Sequence, residues 1–168
     1  NNLTDTTFWI RYGHDALHPE EGGPLMGLKE YATKYIDRNA KLHEKKLDKE
    51  KTEIVKQYNN RLKTMLNNSG IRPPEGYKSF TIKYIDDMFK DCTFEPSDLP
   101  DGIREVYLNW FTSLPLYLQH KVTSLVEKNM IRYNDLNREN LIMYAHYDII
   151  YTLEIWASLY QIVINRGQ

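Results

Sequence analysis

The stretch Leu141–Ile164, LIMYAHYDIIYTLEIWASLYQIVI, decides how the rest of this chain is read. It is long enough to cross a bilayer, which takes about 20 apolar residues. It also carries His146, Asp148, Glu154 and Gln161, and charged groups at bilayer depth are costly. The reading is therefore a helix buried in protein, with no membrane. Apolar side chains cover most of its circumference, which predicts the central helix of a helical domain. His146, inside this apolar run, is expected as a buried neutral imidazole with one hydrogen-bond partner. Asp148 and Glu154 are six residues apart, about 240° around a helix. They share no face and make no paired-carboxylate site. Each is expected to face solvent, cap a helix or pair with a basic group.

Working outward, Asn134–Asn137 offers caps for this helix, predicted over about 137–164. A helix over about 115–129 would carry Leu118, Val122, Leu125 and Val126, after Pro115 in its first turn. Another over about 101–111 has Ile103, Val106, Tyr107 and Trp110 as its apolar stripe. A short one over about 80–89 places Ile82, Ile85, Met88 and Phe89 together, with Ser79 as its cap. Upstream, Leu28, Tyr31, Tyr35 and Leu42, then Ile54, Tyr58, Leu62 and Met65, recur at helical spacing. Between them His43–Glu53 is charged, with Leu47 its one large apolar group, and holds no Gly or Pro. One long helix over about 25–66 is predicted, ended by Asn67-Asn68-Ser69-Gly70.

Residues 1–24 read as an irregular arm, broken by Gly13, Pro19, Gly22, Gly23 and Pro24 and anchored by Phe8, Trp9 and Ile10. No β-alternation is sustained. The expected fold class is all-α: an irregular helical bundle with a buried C-terminal helix and one long charged N-terminal helix, a single domain over 25–168. Its 168 residues suit one sizeable core. The lone Cys92 allows no internal disulfide and points to a reducing, intracellular and cytoplasmic setting.

Motifs that carry chemistry are scarce. His14 and His18 are four apart, with Asp15, Glu20 and Glu21 close by. On a helix the two would share a face, as zinc ligands do. Gly13 and Pro19 flank the segment, and Asp15 stands where a metalloprotease motif has Glu. The plainer reading is a solvated loop. His43, in the charged run, is expected to be exposed. Cys92 follows Asp91, which discourages a thiolate. No phosphate-binding glycine loop, nucleophile elbow or zinc-finger spacing is present, so no cofactor is expected.

Charge is segregated although the net is −1. Residues 29–63 hold eleven basic and six acidic groups, and residues 86–105 hold seven acidic and two basic. Lys34, Lys41, Lys45 and Lys49 recur as one basic stripe, which would suit nucleic-acid phosphate. The interleaved acids argue instead for a helix kept soluble by its own charges. The favoured function is a non-catalytic structural or protein-interaction module, pairing with a protein partner or a second copy. Its contacts would come from Phe8, Trp9, Ile10, Leu28, Tyr35, Lys41, Lys45, Lys49, Ile54 and Leu62. The alternatives are a metal-dependent hydrolase using His14, His18 and carboxylates, and a nucleic-acid-binding helical protein.

Overall fold

In a computed structural model, which describes residues 28–73, 75–90 and 99–165, the chain is all-α and irregular. Among the described residues six α-helices follow one another: α1 (Leu28–Tyr35), α2 (Leu42–Asn68), α3 (Ile82–Lys90), α4 (Asp101–Thr112), α5 (Leu116–Gln119) and α6 (Arg138–Asn165). Single 3-10 turns lie at Lys128–Met130 and Tyr133–Asp135. Among the described residues there is no strand, and no helix is long and apolar enough to cross a membrane. The arm of residues 1–24, with Phe8, Trp9 and Ile10, lies outside the described residues, as do His14, His18 and Cys92.

The contacts of the chain divide into two compact units. The first holds α1, the start of α2 up to Asp48, and α6; the second holds α2 from Lys49 together with α3, α4 and α5.

In the first unit, the helix expected without a break over 25–66 is two helices. The charged stretch is helical, but the backbone turns at residues 36–41. The amides of Ile36 and Asp37 both donate to the Ala32 carbonyl, at 2.9 and 2.8 Å. Asp37 Oδ1 then accepts the Asn39 amide at 2.8 Å. Short polar side chains offer the backbone this alternative to helix. The turn buries Ala40 beside Tyr31, Ala32, Tyr151 and Ile155, the core of this unit. Packing of α1 on α6 closes that core.

In the second unit, the core runs through Leu62, Leu66, Phe80, Ile85, Tyr107, Trp110, Leu118 and Val126. Helix α2 ends where its sequence stops it: Ser69 Oγ donates to the Leu66 carbonyl at 2.7 Å, and Gly70 takes a φ of 76°, the left-handed cap glycine accepts without strain. Asn67 clamps the next segment, accepting the Phe80 amide at 2.8 Å and donating to its carbonyl at 3.1 Å. The cap of α3 is Thr81, whose hydroxyl accepts the Tyr84 amide at 3.1 Å, in place of the expected Ser79.

The helix expected over 115–129 is one turn, α5, and its chain then winds through bends. Its apolar residues Leu118, Val122, Leu125 and Val126 are buried as expected. Side chains from elsewhere take the hydrogen bonds a helix would have used. Asn59 accepts the Val126 amide and donates to its carbonyl, both at 3.0 Å. Tyr107 donates its hydroxyl to the Ser124 carbonyl at 3.1 Å. Trp110 Nε1 ties α4 to α2, donating to the Tyr58 carbonyl at 2.9 Å.

Candidate interaction surface

Helix α6 is capped by Asn137, whose side chain accepts the amides of Glu139 and Asn140 at 2.9 and 3.2 Å. Its orientation is fixed by one face. Tyr151 and Ile155 are buried against α1. Tyr151 donates its hydroxyl to Asp37 Oδ2 at 2.7 Å. Burial, together with that hydrogen bond and the Asp37 charge, pushes the tyrosine up to about 12. The Asn39 amide and the Tyr151 hydroxyl hold Asp37 below the usual carboxylate range. Lys29 of α1 forms an ion pair with Asp148 and sits 5.0 and 5.3 Å from the ring centres of Tyr144 and Tyr151. Asp148 therefore pairs with a neighbouring helix, while Glu154 is exposed.

His43, expected in solvent, is half-buried and stacks on Tyr147, ring centres 4.3 Å apart. Burial lowers its pKa below 6.5, and the charges of Lys46 and Lys29 add to this. His146, expected inside, is exposed. The exchange has one cause: α6 is covered on one side only. This corrects the expectation of a buried C-terminal helix.

The opposite face of α6 is apolar and open. Ile142, Ile149, Leu153 and Trp156 are 55, 62, 61 and 47% exposed, and Tyr160 and Ile164 are exposed beside them. At about 100° per residue these six fall within roughly 40° of one line, and His146 falls with them. Ile142, Ile149 and Trp156 recur every seven residues. His146, Leu153 and Tyr160 interleave at steps of four and three, the a/d pattern of a helix seam. Trp156 and Tyr160 stack on each other, ring centres 5.1 Å apart. Lone exposed apolar residues are ordinary, but a continuous apolar stripe of this length along one helix face is not.

The described residues singled out from the sequence as contacts lie on other elements than α6. Tyr35 is exposed, its ring 4.6 Å from that of Tyr31. Lys41 lies in the turn, 3.5 Å from Glu30. Lys45 and Lys49 are exposed on α2, and Ile54 is half-buried. Leu62 is fully buried in the core of the second unit. Leu28 opens α1, and its side chain is outside the described residues. The basic stripe is interrupted: Lys34 belongs to α1, Lys41 to the turn, and only Lys45 and Lys49 to α2. Glu44 and Asp48 line the same shallow cleft as Lys41 and Lys45.

The stripe on α6 was not singled out in the sequence. Its signal was present as the seven-residue recurrence, but apolar residues on every side of the helix hid it. Among the described residues no group of three His, Cys, Asp or Glu side chains is gathered closely enough to hold a metal ion. No protein-family model matches the chain, and no curated protein or solved structure is significantly similar to it.

Proposed function

We propose that this chain is a non-catalytic helical interaction module that docks through the outer face of α6. The observation that carries it is the exposed stripe from Ile142 to Ile164, opposite the face that Tyr151 and Ile155 bury. The inner contacts hold that stripe outward, so no rearrangement is needed before a partner helix can pack against it. Helix-on-helix docking reads such residues as anchors at spacings of three, four and seven.

The long charged helix and the N-terminal arm belong to the same reading as supporting surfaces. Lys45 and Lys49 with Glu44 and Asp48 give α2 a solvated, mixed-charge side, suited to steering an encounter more than to holding it. The experiment compares tagged full-length chain with a Leu153→Glu variant in co-purification from the source cells. Polypeptides retained by the natural chain at defined stoichiometry and lost by the variant support the reading. An association pattern that the variant leaves unchanged, with the fold intact by circular dichroism, rejects it.

A further inference from the structure

We infer that the occupant of the α6 stripe is the α6 of a second copy of this chain. The inference rests on the reading of α6 as the docking face and names its partner. Three observations carry it.

The first is register. The a and d positions of one continuous pattern run from Ile142 through His146, Ile149, Leu153 and Trp156 to Tyr160, about three heptads and near 30 Å of helix. Two such faces supply knobs and holes of the same period, as an isologous two-fold contact requires.

The second is charge. The flanking positions, which in coiled coils carry the residues that choose a partner, are Met143, Ala145, Ile150, Thr152, Ala157, Leu159 and Ile164. None is charged. From Asn140 to Asn165 the formal charges are Asp148, paired with Lys29, and Glu154, off the stripe. A second copy meets no like charge across the seam, and a charged partner finds nothing there to select it.

The third is area. Ile142, Met143, Ile149, Leu153, Trp156, Tyr160 and Ile164 are each roughly half exposed. At on the order of 200 Å² per large side chain they present about 700 Å², close to the ~800 Å² per partner of a standard stable interface. Covering it with an identical face matches what a dimer needs.

The experiment uses the full chain in light scattering at micromolar concentration, with circular dichroism of each variant. The natural chain is expected at twice its own mass. Leu153→Glu and Leu153→Lys are each expected as folded monomers, their self-affinity reduced about 100-fold or more, since each sets like charges against each other in an apolar seam. Mixed in equal amounts, the two variants are expected to restore the double mass. That recovery separates a lost interface from a lost fold. A monomeric natural chain overturns the inference, and so does a dimer that neither substitution weakens. If the natural chain is monomeric while Leu153→Glu still loses its co-purifying polypeptides, the docking face stands and its occupant is another protein. If both tests fail, α6 is not a docking face.

Discussion

Asn59 shows how one side chain replaces a secondary-structure element. Its amide meets both backbone groups of Val126 at 3.0 Å, in a buried position. Asn59→Ala leaves a buried N–H and a buried C=O without partners, so the expected loss is roughly 2–4 kcal/mol, read from the urea midpoint. Asn59→Asp keeps an acceptor for the amide but faces the Val126 carbonyl with a carboxylate, and should be no better than alanine. His43 makes the second prediction at this scale. Its folded pKa lies below 6.5, so the unfolded chain binds the proton more readily. Stability of the first unit therefore falls as pH drops through about 6.5 and is fully present above it. An NMR titration should place the His43 midpoint below 6.5, and Tyr147→Ala, which uncovers the ring, should move it upward. Tyr151 works in the other direction. Its pKa is raised to about 12, so its contribution is intact below about pH 10 and is lost as pH rises through the folded value.

At the scale of elements, α6 has two faces with opposite roles. Ile155 is fully buried and Leu153, two residues away, is 61% exposed. Ile155→Ala should cost roughly 2–4 kcal/mol through the cavity it leaves. Leu153→Ala should change the stability of the chain by less than about 1 kcal/mol when diluted until monomeric. Thermal melts of the two variants at low concentration check the contrast. Helix ends were legible in the sequence where side chains dictate them. Asn137 caps α6 with its side-chain oxygen, which accepts the next turn's amides, and Ser69-Gly70 closes α2. The break at residues 36–41 was not legible, because Asp37 and Asn39 are neutral to mild helix breakers whose effect depends on Tyr151 arriving from α6. Nor was the winding of residues 120–127, where the buried stripe Leu118, Val122, Leu125 and Val126 fits a helix. Asn59 and Tyr107, distant in sequence, decide that segment. For α6, apolarity gave its length and helicity but not its sidedness. The burial of Tyr151 and Ile155 on α1, with the contacts of Lys29, Asp37 and His43, shows which face is inner.

For the whole molecule, the chain separates charge from apolar surface. The charged groups concentrate on α2 and around residues 86–105, while the open face of α6 is uncharged. An assembly held by the α6 seam should keep its mass, or tighten slightly, as salt rises, because apolar burial is not screened. One held by the Lys45 and Lys49 side of α2, against an acidic patch or nucleic-acid phosphate, should loosen steeply under the same change. The most direct test is the mass of the full chain in solution by light scattering, at low and at high salt. Double mass at both, with monomers for Leu153→Glu and Leu153→Lys alone and recovery on mixing, is the predicted result. A monomer at low salt, or a dimer that dissolves in salt and ignores Leu153, would contradict it.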